Sequence, residues 1–125
     1  MKEADVHKAI VQYLSLIDSS LIVVSDPNGI RLTIGQATQL KKIRLPHAGG
    51  HPDILVLRSN SDYNGLFIEV KKEGTKVYTK NGTHYSEHLK KQDELHIRLR
   101  KEGWFGGFAI GFDSAKRMID EYFNL

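Results

Sequence analysis

Two short apolar runs with a polar turn between them place the tightest constraint on how this chain folds. Residues 54–57 (Ile-Leu-Val-Leu) and 66–70 (Leu-Phe-Ile-Glu-Val) have β-type composition, and the intervening 58–65 is rich in Ser, Asn, Asp and Gly. Such runs around a loop of turn formers predict an antiparallel hairpin over 53–72. Its open end carries the chemistry. Asp53, preceded by His51 and Pro52, opens the first run, Glu69 interrupts the second and Lys71 closes it. Side chains alternate faces along a strand, so Glu69 and Lys71 share one. A pairing centred near Asp62 sets Asp53 opposite Lys71 and diagonal to Glu69. Two carboxylates and a lysine then converge, which suits a hard divalent cation held by oxygen ligands.

A chain of 125 residues has room for one domain with a modest core, so residues 1–125 are expected to form a single domain. At 40% apolar and 26% charged, the composition is that of a globular protein rather than a disordered one. There is no cysteine, which removes disulfides and zinc-thiolate sites and suits a reducing cytosol. No apolar run approaches the roughly 20 residues of a membrane span. The charged start, Met1-Lys2-Glu3-Ala4-Asp5, lacks the apolar segment of a signal peptide, so the expected location is cytoplasmic and no membrane partner is expected. The formal charge of +3 is unevenly placed: residues 27–52 contain no Asp or Glu but hold Arg31, Lys41, Lys42, Arg44, His47 and His51. That interval is either a solvated basic surface or a face for an anionic polymer such as nucleic acid.

Val6, Ile10, Tyr13, Leu14 and Ile17 recur at helical spacing and predict a helix over 3–17. Glu3 falls within roughly 20° of the Ile10 and Leu14 directions, so it is either a first-turn carboxylate favoured by the helix dipole or a group aimed into a site. Residues 21–24 predict a strand, 26–29 a turn and 30–34 a short strand, while 35–45 are ambiguous. Asn81-Gly82 between short β-type stretches predicts a small hairpin or a mobile loop over 75–85. Ser86 is a candidate N-cap for a helix running to about Glu102, with Leu89, Leu95 and Leu99 as its stripe. Gln92 lies on that stripe, either as a core amide or as a group with a function. Residues 104–111 predict a last strand whose glycines admit close helix packing, and Asp113 is expected to cap a final helix with Ala115, Met118, Ile119, Tyr122 and Phe123 inward. The order predicts a small α/β domain, a mixed sheet with helices packed on it.

Pro52-Asp53, followed by Glu69-Val70-Lys71, resembles the PD-(D/E)xK nuclease superfamily. Glu3 on a first helix, Gly50-x-Pro52-Asp53, Ile68-Glu69-Val70-Lys71 and Gln92 on the next helix narrow the resemblance to its VRR-NUC (virus-type replication-repair nuclease) group, over about residues 3–110. The resemblance implies a restriction-endonuclease-like core, a mixed central sheet flanked by helices. It implies a metal-dependent phosphodiesterase acting on DNA, with Mg²⁺ or Mn²⁺ held by Asp53, Glu69, the backbone carbonyl of Val70 and, within the acidic cluster, Glu3. Lys71 and Gln92 would assist at the attacking water and the scissile phosphate. Relatives of this kind include nucleases of branched or junction DNA in replication, repair or recombination, and small stand-alone forms occur in phages, in which case the location would be the host cytoplasm. DNA contacts are expected from Arg31, Lys41, Lys42, Arg44, His51 and Lys72. A homodimer is expected from function alone, since symmetric cutting of a junction needs two active sites. The chain departs from the group where a short Gly-x-Leu-Ser link would lead into the Gln92 helix: residues 74–85 intervene, and they suit a substrate-binding or a dimer element.

Two other readings compete. His84-Tyr85-Ser86-Glu87-His88 has the H-x-x-E-H spacing of inverted zincins, which would make a zinc metalloprotease; the plainer account is two incidental histidines near a helix start. A non-catalytic nucleic-acid-binding module would use the basic interval equally well. It leaves Asp53 and Glu69 unexplained, because carboxylates repel phosphate unless a cation intervenes, although each taken alone suits a salt bridge with Lys71 or Lys72.

Overall fold

The computed structural model describes residues 2–25, 34 and 51–125. Three helices and one four-stranded sheet are formed by these residues: α1 (Glu3–Ile17), β1 (Val23–Ser25), β2 (Ile54–Val56), β3 (Gly65–Lys71), α2 (Glu87–Lys101), β4 (Trp104–Ile110) and α3 (Phe112–Phe123). The sheet order is β1-β2-β3-β4, with the first three strands antiparallel and β4 parallel to β3. This is the mixed sheet with flanking helices expected of the sequence. Strand β1 starts two residues later than the expected 21–24, at Val23. Of the expected strand over 30–34 only Ile34 is described, and it is helical and exposed, so the strand does not extend to it. The expected turn at 26–29 and the ambiguous 35–45 lie outside the described residues.

The hairpin pairs as expected in kind but not in register. Ile54 faces Ile68 and Val56 faces Leu66, so continuation of the ladder sets Asp53 opposite Glu69 rather than Lys71. The shift is two residues along the partner, which preserves every face because side chains repeat with period two. The cause is the loop. Asn60 Oδ1 accepts from the N–H groups of Asp62 and Tyr63, and the Asn60 N–H donates to the Tyr63 carbonyl, so the chain turns earlier than a centre at Asp62 requires.

Alternation along β3 then sorts two cores. Leu66, Ile68 and Val70 join Ile54, Val56 and Ala109 beneath Val6, Ile10 and Leu14 of α1 and Ala115, Ile119 and Tyr122 of α3. Phe67 and Glu69 face α2, where the His96 ring lies 5.1 Å from Phe67 and 4.6 Å from Phe108. Burying each of these large aliphatic side chains contributes about 1.5–3 kcal/mol before entropy is counted. Helix α2 begins where Ser86 Oγ accepts from the Leu89 N–H at 3.1 Å and stops before Gly103, whose φ of +86° a residue with a Cβ rarely adopts. Helix α3 starts from Gly111, with Asp113 inside the first turn and making no cap hydrogen bond, which corrects the expected Asp113 cap. The β4 glycines serve two neighbours: a Cβ on Gly107 would lie 2.8 Å from the Arg100 guanidinium of α2, the close helix packing expected, while one on Gly106 would lie 1.9 Å from the Phe67 carbonyl oxygen of the adjacent strand. Among the described residues no helix is long and apolar enough to cross a membrane.

Candidate active site

The open end of the hairpin meets the N-terminal ends of α1 and α2 at one pocket of about 280 Å³, lined by Glu3, His51, Asp53, Glu69, Lys71, His88 and Gln92. The five residues picked out by sequence as catalytic therefore lie together. Strand β3 carries Glu69 and Lys71 on the face beneath α2, and the end of β2 brings Asp53 beside them. Asp53 and Glu69 are 5% and 2% exposed. One Asp53 carboxylate oxygen, Oδ2, accepts the Val70 N–H at 2.8 Å. In a strand the N–H and C=O of one residue point to the same edge, so the Val70 carbonyl faces Pro52-Asp53 as well, and Pro52 has no N–H to give it. The Pro-Asp pair thus ends the ladder where the pocket opens.

Gln92 reaches the Glu69 carboxylate from α2. Its Nε2 donates to Glu69 Oε1 at 2.8 Å, while its own Oε1 is buried with no hydrogen-bond partner among the described residues. The intervening 74–85 therefore does not displace Gln92 from the site. Glu3 is exposed rather than buried, since it lies one turn beyond Val6 at the helix start, yet it lines the pocket. Burial pushes the Glu69 carboxyl far above its ordinary range, helped by a hydrogen bond shared with Asp53, by the Asp53 charge and by Glu3; the Lys71 ammonium opposes the shift. Two carboxyls buried side by side make the second negative charge costly.

His51 lines the pocket and Lys72 is exposed beside it, whereas Arg31, Lys41, Lys42 and Arg44 lie outside the described residues. Two residues near the site were not singled out from sequence. His88 was noticed only within H-x-x-E-H, and His96 not at all, although both fall four residues from Gln92 and so share its face of α2. The signal that found Gln92, a polar residue on an apolar stripe, was equally present at His96. The metalloprotease reading fails on geometry. His84 lies outside α2, bridged to Tyr78, with its ring on Asp93 at 2.9 Å, while His88 turns to the acidic pocket. Among the described residues no group of three or more His, Asp or Glu side chains is arranged to hold a metal ion.

A solved structure described as a VRR_NUC domain protein has the same fold, with a TM-score of 0.68 and 22% sequence identity, the match covering 100% of this chain and 90% of that one. The fold is thus that of a VRR-NUC, restriction-endonuclease-like α/β domain. No family model matches the chain, and no curated protein matches it.

Proposed function

We propose that this pocket is the active site of a Mg²⁺- or Mn²⁺-dependent DNA endonuclease that acts on branched or structured DNA in replication, repair or recombination. The observation that carries the reading is the burial of Asp53 and Glu69 side by side with Lys71 at the same pocket. The fold likeness to a VRR_NUC domain protein supports it.

The donor set fits a hard cation. Mg²⁺ prefers oxygen ligands, keeps several waters and is commonly bound through one or two carboxylates together with substrate phosphate, so a cage of three protein ligands is not required. Asp53 and Glu69 would hold it, with the Val70 carbonyl and Glu3 at the rim. The crowding of the two buried carboxyls is the crowding a divalent cation relieves. When bound, such a cation supplies charge neutralisation at the phosphate and lowers the pKa of a water.

The chain's own groups do the rest. Lys71, a compact cation, orients the attacking water and stabilises negative charge developing on the phosphate oxygens. Gln92 fixes the Glu69 carboxylate through its amide N–H. Hydrolysis forms one P–O bond from water and breaks the ester P–O bond, releasing an alcohol and a phosphate monoester. The basic residues Arg31, Lys41, Lys42, Arg44, His51 and Lys72 would hold the backbone on either side. Two such sites in a homodimer would cut the two strands of a junction.

The test is a panel of linear duplex, single-stranded, flap and four-way-junction DNA incubated with Mg²⁺, Mn²⁺ or EDTA. The expected result is cutting that needs the cation and favours flap or junction over linear duplex. DNA binding without cutting of any substrate would instead establish a binding module.

A further inference from the structure

Residues 74–85 fold into a small hairpin fixed to the helix that supplies Gln92. Tyr78 bridges His84, the Thr79 N–H donates to the Thr83 carbonyl at 2.6 Å, and Asn81-Gly82 makes the turn with Gly82 at φ +81°. Its root is anchored. Val77 is 5% exposed, and the Tyr78 hydroxyl and His84 Nε2 converge on Asp93 Oδ2 at 3.0 and 2.9 Å. Asp93 adjoins Gln92 on α2. Lys71, three residues before the hairpin, and His88, three residues after it, line the pocket, while Thr75 to Tyr78 lie beside Arg100 and β4.

What the hairpin shows to solvent is not needed for that anchoring. Lys76 and Lys80 are exposed, Tyr85 is 53% exposed, and no acidic residue occurs in 74–85. Exposed lysines suit an anionic polymer, and an exposed aromatic ring on the same hairpin suits a base with an open face. Bases inside a duplex are already stacked on one another and offer Tyr85 no such face.

We propose that residues 75–85 form an arm that grips an unpaired DNA strand next to the scissile phosphate. Lys76 and Lys80 meet its phosphates and Tyr85 stacks on one of its bases. The inference rests on the nuclease reading and narrows the substrate to DNA with a single-stranded flank at the cleavage position.

The experiment is equilibrium binding of the full chain, in EDTA, to a labelled flap DNA and to a fully paired duplex of the same length, across a salt series. Tyr85→Ala is expected to weaken flap binding on the order of tenfold and leave duplex binding unchanged, with Tyr85→Phe restoring the flap. Lys76→Ala with Lys80→Ala is expected to reduce the slope of log affinity against log salt by about 1.5 on the flap. A Tyr85→Ala effect that is absent or equal on duplex, an unchanged salt slope, or no DNA binding by the unaltered chain overturns the arm. Because EDTA removes cutting from this measurement, failure of the nuclease reading shows separately, as intact DNA after incubation with Mg²⁺.

Discussion

Glu69 sits between Asp53 and Gln92, and the two neighbours act on it in opposite ways. Asp53 raises the cost of its charge, while Gln92 donates a hydrogen bond that holds its Oε1 in place. Gln92→Leu keeps the volume on the α2 stripe but removes that donor. Partners of a metal-binding carboxylate typically contribute 10–100-fold, so Gln92→Leu is expected to lower cation-dependent cutting by about that factor while the thermal unfolding midpoint changes little. Steady-state cutting beside a melting curve checks it. His96 makes a separate prediction. It is fully buried between Phe67 and Phe108 with neither ring nitrogen bonded among the described residues, and burial lowers its pKa to about 4, reinforced by Arg100 and Lys71 and opposed by Asp93 and Asp53. The folded state thus keeps His96 neutral while the unfolded chain binds a proton below the ordinary pKa of about 6.5. The stability contribution is present above that value and is lost as pH falls towards about 4, by roughly 3 kcal/mol if the shift is fully expressed. Denaturant titrations between these limits should show the loss in the unaltered protein and a flatter profile in His96→Leu.

At the level of elements, the sheet sets how precisely the pocket is built. Gly106 lies opposite Phe67 in the parallel β3–β4 ladder at φ +149°, and a Cβ there would overlap the Phe67 carbonyl oxygen. Gly106→Ala is therefore expected to destabilise the fold by about 2–4 kcal/mol, through both backbone strain and the displaced strand. Unfolding of that variant at stability near that of the parent would contradict this account of the ladder. The elements themselves were largely legible. The apolar stripe of α1, the Ser86 cap and the β-type runs each identify an element by local physics. The hairpin register was not legible, because it depends on Asn60 gathering two backbone N–H groups and not on any property of the strands. Gly111 in place of Asp113 as the start of α3 was missed for a related reason: an acidic residue is equally at home inside the first turn.

For the whole molecule, the three-layer arrangement brings residues from positions 3, 53, 69, 71 and 92 to one pocket. Sequence periodicity placed Glu3 and Gln92 on the correct helix faces, and the motif placed Asp53, Glu69 and Lys71. The anchoring of the 74–85 hairpin depends on how α2 lies across the sheet, which no local pattern encodes. The central claim is that Asp53 and Glu69 form a cation site that hydrolyses DNA. Asp53→Asn tests it with least disturbance, since an amide oxygen still accepts the Val70 N–H while the charge is lost. The decisive measurement is Mg²⁺-dependent cutting of a flap or junction substrate by the unaltered protein and by Asp53→Asn, side by side. The account predicts cutting that EDTA abolishes and a loss on the order of 10³-fold or more in Asp53→Asn, in line with removal of a charge that stabilises the reacting centre. Cutting by Asp53→Asn at the parental rate would contradict it.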